Sequence, residues 1–199
     1  MSNWLKTLKN RYKDDRFFRE VFDDGIYNEV LKLGKLKTVI DLGALAGEFS
    51  FLVYDRCEKI YAIEAEGGAY SELEKNIEEF SLTKIIPFNI AISDKNGAEV
   101  LNIRERGGHS LGDSGSGTYK EVVSKTLNSF LEENNIEHVD VLKIDIEGAE
   151  MAVFLERDAK KAFEKIDFVI GEHEGYGILE GFGFKVKRLE KLPIWIANK

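Results

Sequence analysis

Five carboxylates and one histidine follow short apolar runs of the sequence, at positions where a ligand could be bound or a proton moved. These residues are Asp41, Glu64, Asp145, Glu147, Glu172 and His173. Carboxylates accept hydrogen bonds and pair with cations, while a histidine beside a carboxylate can take a proton near neutral pH. Because the carboxyl ends of parallel strands meet at one edge of a sheet, the spacing predicts a single site for binding and proton transfer.

The apolar run around Asp41 leads into a glycine-containing turn, VIDLGALAG at residues 39–47. A dinucleotide site would have G-x-G-x-x-G here, and its second glycine lets the backbone approach a pyrophosphate. Leu45 occupies that second position. Gly43 and Gly47 still permit a tight turn and close packing of the strand on the helix. The turn therefore favours a ligand without phosphates.

S-adenosylmethionine is a phosphate-free ligand that suits these residues. Its carboxylate can accept hydrogen bonds from amides of the turn and of the following helix start, where the helix dipole favours an anion. Asp41 supplies a negative charge for its ammonium and sulfonium groups. Glu64 is placed to accept both hydrogen bonds from a ribose diol. The same two acids are also compatible with NAD.

Asp145, Glu147, Glu172 and His173 are the candidates for catalysis. Transfer of a methyl group from a sulfonium is an in-line displacement, which depends on alignment and, for a hydroxyl acceptor, on a positioned base. His173 could be that base with a neighbouring carboxylate to orient it, or Asp145 and Glu147 could act beside the sulfonium. Alternatively, the four side chains could hold a divalent metal such as Mg²⁺, which binds oxygen ligands. The sequence assigns no metal ligand.

These residues require a sheet whose strands alternate with helices. Apolar runs predict five strands with helical segments between most of them, and the strands are residues 37–42, 59–65, 84–92, 139–145 and 166–172. Residues 184–190 and 193–198 are too close in sequence for a helix between them, and they should form an antiparallel hairpin. The predicted fold class is therefore α/β, a doubly wound and mostly parallel sheet with helices on both faces.

Two further regions complete the predicted organisation. Residues 1–36 are charged and carry apolar side chains at near-helical intervals, so they predict a helical cover, whose aromatics could also wall a substrate pocket or form a homodimer contact. Residues 37–199 form the ligand-binding domain. It has an insertion at about 98–124, in which two short strands flank the glycine- and serine-rich loop 107–117. That loop is either an ordinary connection or a substrate lid.

The composition excludes several classes of protein. With 199 residues, 43% hydrophobic and 32% charged, the chain suits one globular domain. A net charge of -8 disfavours nucleic acid as a partner, because such binders carry a basic excess. The single cysteine, Cys57, cannot form an internal disulfide. No apolar run reaches the roughly 20 residues of a membrane span, and we therefore expect a soluble cytoplasmic protein.

Several motifs resemble the FkbM-type methyltransferases, a branch of the class I S-adenosylmethionine-dependent enzymes. They are VIDLGALAGEFS (39–50), YAIEA (61–65), NIAISDKNG (89–97), TLNSFL (126–131), VDVLKIDIEGAE (139–150) and GFGFKV (181–186). VDVLKIDIEGAE is the most specific of them. The resemblance implies a Rossmann-like sheet of seven strands with an antiparallel final strand. It also implies that the donor contacts Asp41, Gly43, Ala44, Gly47, Glu64, Ala91, Ser93 and Asp145, with Glu64 at the ribose and the segment around Ala91 and Ser93 along the adenine edge.

The leading hypothesis is methylation of a hydroxyl group on a small metabolite, such as a sugar or another polyhydroxylated compound, with S-adenosylmethionine as the donor. The preference for oxygen is implied by the resemblance, and carbon and nitrogen acceptors stay open. Two alternatives remain. The protein could be an NAD-dependent oxidoreductase, or a module that binds S-adenosylmethionine without turnover.

Overall fold

Helices and strands alternate along most of the chain. The computed structural model describes residues 2–103, 110–111, 118–172, 176–189, 192 and 194–199. Within these ranges the helices are α1 (Asn3–Arg11), α2 (Arg16–Phe22), α3 (Glu48–Val53), α4 (Gly67–Phe80), α5 (Leu127–Glu133), α6 (Glu150–Leu155), α7 (Ala159–Phe163) and α8 (Ile178–Gly181). The strands are β1 (Leu36–Leu42), β2 (Cys57–Ile63), β3 (Ile85–Phe88), β4 (Ala91–Ile92), β5 (Gly97–Ile103), β6 (Ser110–Leu111), β7 (Thr118–Lys125), β8 (Val139–Ile144), β9 (Ile166–Glu172), β10 (Lys185–Arg188) and β11 (Ile194–Asn198).

The main sheet contains seven of the described strands, in the order β10-β11-β9-β8-β1-β2-β3. The five strands from β9 to β3 are parallel, and β11 runs antiparallel between β9 and β10. The last four residues of each central strand are buried, and apart from Asp41 and Lys143 they are apolar or aromatic. Such strands are typical of a parallel sheet that helices cover on both faces. The predicted fold class, including the antiparallel hairpin at the end of the chain, is confirmed.

Each face of the main sheet has its own hydrophobic core. One core combines the sheet with α5, α6, α7 and α8, and its largest buried side chains include Phe130, Phe154 and Trp195. The other core combines the sheet with α1, α2, α3 and α4, and it includes Leu8 and Phe51. The N-terminal helices therefore pack on the same face as the helix that follows β1. None of the helices in the described ranges is long and apolar enough to cross a bilayer.

The predicted third strand, residues 84–92, is divided between two sheets. β3 belongs to the main sheet, whereas β4 pairs with β7 in a second sheet of four strands. The side chain of Asn89 lies at the break, and its Nδ2 donates to the carbonyls of Glu64 at 2.9 Å and Ala65 at 3.2 Å. This side chain takes the place of further strand pairing beside β2, and the chain turns away from the main sheet.

The second sheet is built largely from the insertion and has the order β4-β7-β5-β6. β5 and β7 pair antiparallel, from Gly97 opposite Ser124 to Ile103 opposite Thr118. Of the loop 107–117, only β6 is described, and it pairs with β5. Residues 104–109 and 112–117, which include His109, lie outside the described residues, so a lid at this loop stays a prediction.

Candidate functional site

A cleft opens at the carboxyl ends of β1, β2 and β8, and we call it the first cleft. Its empty volume is about 680 Å³, open solvent included. Its described lining residues are Phe17, Leu42, Gly43, Leu45, Ile63, Glu64, Ala65, Ile90, Ala91, Ile92, Leu101, Asp145, Ile146, Glu147 and Ala149. These residues include three carboxylates and no lysine or arginine. The first cleft therefore has an acidic lining at the strand ends, where open α/β sheets bind their ligands.

The turn after β1 depends on a glycine at position 43. Gly43 has a φ of +77°, and a Cβ atom there would lie 1.8 Å from the backbone oxygen of Asp145. The amides of Gly43 and Ala44 both donate to the carbonyl of Ile63, at 2.9 and 3.0 Å. These two N–H groups are therefore used within the protein. Gly43 therefore lets the turn pack closely against the backbone of Asp145, but its amide is not free to donate to a ligand.

Glu64 is a buried carboxylate at the end of β2, held by two backbone amides. Its Oε2 accepts from the amide of Leu45 at 2.9 Å, and its Oε1 accepts from the amide of Glu66 at 2.8 Å. Leu45 has a φ of 47°, a left-handed conformation that is uncommon outside glycine. Burial raises the pKa of Glu64, while the two amide hydrogen bonds oppose that rise. Because each oxygen has a second acceptor position, Glu64 can still accept two hydrogen bonds from a diol.

Lys143 places a buried ammonium group under the turn. Its Nζ donates to the carbonyls of Leu42 and Gly43, at 3.1 and 2.6 Å. The same atom lies 3.3 Å from Asp41 Oδ1 and 3.9 Å from Asp145 Oδ2. Burial lowers the pKa of Lys143, but the carboxylates of Asp41 and Asp145 raise it further than burial lowers it. Lys143 therefore stays charged and ties the turn to the ends of β1 and β8.

Asp41 is fully buried and does not line the first cleft. Its Oδ2 accepts from the hydroxyl of Ser50 at 2.7 Å. Its Oδ1 forms the ion pair with Lys143 but makes no well-aligned hydrogen bond. Asp41 therefore acts on the site through Lys143 and through its charge.

Tyr27, from the loop after α2, connects two of the predicted catalytic carboxylates. Its hydroxyl lies 3.2 Å from Asp145 Oδ2 and 3.3 Å from Glu172 Oε1. Burial and the charges of Asp145 and Glu172 raise the pKa of Tyr27 well above its ordinary value. The phenol therefore keeps its proton and donates it in a hydrogen bond to these carboxylates. The N-terminal region thus contributes directly to the site.

The turn after β8 presents Glu147 to the first cleft. Glu147 and Gly148 both have positive φ, at 52° and 97°. The buried carboxylate of Glu150 holds this turn, because its Oε1 accepts from the amide of Ile146 at 3.0 Å and its Oε2 from the amide of Gly148 at 2.8 Å. Glu150 therefore positions Glu147 in the way that a preorganised site requires.

The remaining predicted site residues fall into three groups. Ala91 lines the first cleft. Gly47 and Ser93 do not line it: a Cβ at Gly47 would lie 2.3 Å from the ring of Phe51, and the Ser93 hydroxyl donates to Glu99 Oε1 at 3.0 Å. His173 lies outside the described residues. The structure thus brings Gly43, Ala91 and the acids at the ends of β2 and β8 together in the first cleft. Gly47 and Ser93 lie outside its lining.

A second, smaller cleft joins the first one at Gly43, Leu45 and Asp145. Its empty volume is about 310 Å³, open solvent included. Its described lining residues are Phe17, Glu20, Val21, Ile26, Tyr27, Gly43, Ala44, Leu45, Glu48, Phe49, Lys143, Asp145 and Glu172. Residues of α2 and of the loop after it form one wall. This second cleft therefore lies between the N-terminal region and the turn after β1.

Glu48, the first residue of α3, has a carboxyl group enclosed in the second cleft. The residue is 6% exposed, and no other residue in the described ranges forms a hydrogen bond or ion pair with its side chain. Burial raises the pKa of Glu48 to about 8, with further contributions from the charges of Asp15 and Asp41; its own amide and Lys143 oppose the rise. Glu48 therefore holds a proton at neutral pH.

Four residues of the site were not predicted as functional, namely Tyr27, Lys143, Glu48 and Glu150. The sequence contains a signal for Lys143, because it is a charged residue inside the apolar run VDVLKI. A lysine within a strand covered on both faces must be paired, and acidic residues at neighbouring strand ends are its natural partners. For Tyr27 and Glu48 the local sequence contains no comparable signal.

The predicted carboxylates do not form a metal site among the residues that the structure describes. The one group there whose ligand atoms converge within 4.8 Å is His138, Asp140 and Asp167, at the opposite end of the sheet. Two of the residues considered as alternative metal ligands, Asp145 and Glu172, share the hydroxyl of Tyr27. The described geometry therefore gives no support to a metal at the first cleft.

A doubly wound sheet with an acidic cleft at the carboxyl ends of its central strands defines a Rossmann-like ligand-binding protein. The sequence model of the methyltransferase FkbM domain matches residues 41–190. The chain belongs to the FkbM methyltransferase family. No curated protein matches it in sequence.

Solved structures share the fold. The methyltransferase FkbM from Methylobacillus flagellatus KT is 13% identical with a TM-score of 0.54, over 83% of this chain and 44% of that protein. A SAM-dependent methyltransferase from Aquifex aeolicus is 14% identical with a TM-score of 0.51, over 99% of this chain and 97% of that one. TrmK from M. capricolum, in complex with S-adenosylhomocysteine, is 15% identical with a TM-score of 0.50, over 86% of this chain and 66% of that one. The chain therefore spans less than half the length of the Methylobacillus protein.

Proposed function

We propose that the protein transfers a methyl group from S-adenosylmethionine to a hydroxyl group of a small polyhydroxylated metabolite, such as a sugar. Membership of the FkbM family supports methyl transfer. The observation that carries the choice of donor is the first cleft, in which the buried Glu64 carboxylate keeps two acceptor positions for a ribose diol.

The lining of the first cleft suits the other parts of this donor. Ile90, Ala91, Ile92 and Leu101 form an apolar wall beyond Glu64, as an adenine ring requires. Asp145 also lines this cleft, and its negative charge favours the cationic methionyl part. The related fold of TrmK from M. capricolum holds S-adenosylhomocysteine, the product of such a donor.

The same lining disfavours NAD, the ligand of the alternative oxidoreductase. The side chain of Leu45 stands in the first cleft at the position where a pyrophosphate would need glycine. The lining also combines three carboxylates with no described lysine or arginine, so two phosphate charges would be repelled. A cationic donor suits this cleft better than an anionic dinucleotide.

We assign Glu147 as the residue that accepts the proton from the acceptor hydroxyl. When bound, the donor supplies an electrophilic methyl group. Tyr27 donates a hydrogen bond to Asp145 or Glu172, so these carboxylates already serve as acceptors within the protein. Glu147 lines the first cleft on a turn that Glu150 holds in place. His173 remains a second candidate for the base.

Calorimetric titration with S-adenosylmethionine, S-adenosylhomocysteine and NAD, each with and without Mg²⁺, tests the donor. We expect saturable binding of the first two ligands only, with no requirement for Mg²⁺. Binding of NAD alone would overturn the proposal.

Transfer of an isotopically labelled methyl group to a panel of sugars and other polyhydroxylated compounds then tests the reaction. Glu147→Gln should slow transfer at least tenfold while donor affinity stays within about twofold. Glu78→Gln, which changes an exposed glutamate of α4, is the matched control. Donor binding without transfer to any member of a broad panel would favour a non-catalytic binding module.

A further inference from the structure

The carboxyl group of Glu48 is enclosed by protein but bound by none of the described side chains. It is 6% exposed and lines the second cleft, which shares Gly43, Leu45 and Asp145 with the first cleft. Apart from the amide of Glu48 itself, no described group donates a hydrogen bond to this buried carboxyl group. Buried polar groups in native proteins usually have their hydrogen-bonding capacity filled by protein, ligand or water. The position of Glu48 next to the donor site points to a ligand.

The charges around Glu48 determine which ligand group it can hold. The charged and titratable groups around it or in the same cleft are Asp15 at the start of α2, Glu20 of α2, Tyr27, Asp41 of β1, Lys143 of β8, Asp145 and Glu172. Lys143 is the one cation in this set, and its ammonium group already donates to two carbonyls and pairs with Asp41. The second cleft therefore favours a cation and repels an anion.

The donor has a group of this kind at its methionyl end. An α-ammonium group carries a positive charge and three N–H donors, as a lysine ammonium does. Asp145 lines both clefts, so a ligand that extends past it from Glu64 enters the second cleft. The methionyl end is then the part of the donor that reaches Glu48.

We propose that Glu48 binds the α-ammonium group of the methyl donor where the two clefts meet. This contact rests on the donor proposed above. It adds a charge-assisted hydrogen bond to a buried acid that otherwise accepts only from its own amide among the described groups. The second cleft then holds the methionyl end of the donor, and the acceptor binds elsewhere.

The contact links donor binding to the release of a proton. Free Glu48 is protonated at neutral pH because burial raises its pKa to about 8. A free α-amino group has a pKa of about 8 as well and is protonated below it. When the two groups pair at pH 6.5, the carboxyl group becomes a carboxylate, its proton passes to the buffer and the ammonium keeps its charge. Binding should therefore release about one proton for each ligand bound.

Isothermal titration calorimetry of the wild-type protein at pH 6.5, in buffers of different ionisation enthalpy, counts this proton. We expect about one proton released with S-adenosylmethionine and with S-adenosylhomocysteine, which both carry the ammonium group. 5′-Methylthioadenosine has the nucleoside part without the amino acid, and it should bind with little or no release. Equal release with all three ligands would overturn the proposal, and release with S-adenosylmethionine alone would assign the sulfonium instead.

The Glu48→Gln variant provides a second test of the proposal, through the pH dependence of ligand affinity. Wild-type affinity for S-adenosylhomocysteine should rise about tenfold for each pH unit from 6 to 7.5, whereas the variant should show no such rise and release no proton. Near pH 8 the variant should bind at least about tenfold more weakly than wild type. A variant that still releases the proton would refute the role of Glu48. If wild type binds neither S-adenosylmethionine nor S-adenosylhomocysteine, the proposed donor fails instead, which is a distinct outcome.

Discussion

Replacement of Glu48 by glutamine should stabilise the protein in neutral and alkaline solution, and the gain should disappear in acid. The pKa of Glu48 rises from its ordinary 4.5 to about 8 in the folded protein, chiefly because the side chain is buried. Between these pH values the unfolded chain has lost the proton that the folded chain retains. The folded state binds more protons, so stability is complete below pH 4.5 and is lost as the pH rises towards 8.

The size of the effect follows from the shift. Each pH unit inside this window removes about 1.4 kcal/mol of the free energy of unfolding, since one proton is involved. From pH 5 to pH 8 the wild-type protein should lose about 3.5 kcal/mol through Glu48 alone. A glutamine resembles the protonated glutamic acid in shape and carries no proton that titrates. The stability of the variant relative to wild type should therefore increase by about 3.5 kcal/mol between pH 5 and pH 8.

Urea denaturation of wild type and Glu48→Gln at several pH values from 5 to 9, followed by circular dichroism, measures this difference. Other titrating groups affect both proteins equally, so they cancel in the comparison. Glu78→Gln, an exposed glutamate of α4, should track wild type at every pH. If wild type and Glu48→Gln have parallel stability profiles between pH 5 and pH 8, Glu48 is not a buried neutral acid and the electrostatic reasoning is refuted.

Three further predictions test other parts of the site. Glu64→Gln should weaken S-adenosylmethionine binding about tenfold or more in calorimetry, because an amide group cannot accept from two backbone N–H groups and a ribose diol together. Gly43→Ala should lower the free energy of unfolding by about 3 kcal/mol or more in urea denaturation, because its Cβ would meet a backbone oxygen at 1.8 Å. Cys57 should not react with a thiol reagent at pH 8 in the native protein, because burial raises its pKa to about 12.

Matched observations would contradict each of these expectations. Unchanged donor affinity in Glu64→Gln would remove Glu64 from the ribose site. Gly34 has no atom within 4 Å of a built Cβ, so Gly34→Ala should be nearly neutral, and equal losses in both glycine variants would argue against the contact at Gly43. Cys57 should react once urea unfolds the chain, and fast reaction before unfolding would show that β2 opens.

The strands were the most predictable part of the fold, because their apolar runs reflect burial on both faces. Residues 166–172 were predicted as a strand, and β9 has those bounds. Residues 84–92 were predicted as one strand, but the chain divides there between two sheets. Apolar residues stand on both sides of the break, and at the break the side chain of Asn89 donates hydrogen bonds to residues after β2. The periodicity of apolar residues in a short segment cannot predict a hydrogen bond to residues that are distant in sequence.

The candidate site was predictable where chemistry coincided with a strand end. Glu64 and Asp145 could be identified in this way, since parallel strands bring their carboxyl ends together. Glu48 could not, because its raised pKa arises chiefly from burial in a cleft that α2 helps to line, with a further contribution from Asp15, which is distant in sequence. Tyr27 could not either, since it meets Asp145 only after the N-terminal region has packed on the sheet. Burial and charge balance belong to the folded chain, so they become visible only in three dimensions.

The two sides of the site come from different parts of the chain. The match to the FkbM domain begins at residue 41, and the matched part supplies the turn after β1, Glu64 and the turn after β8. Phe17 and Tyr27 precede that match, yet Phe17 lines both clefts and Tyr27 hydrogen-bonds the acids beside them. The proposed donor site therefore combines residues of the family domain with residues that precede it, and the family match alone does not describe the whole lining of the two clefts.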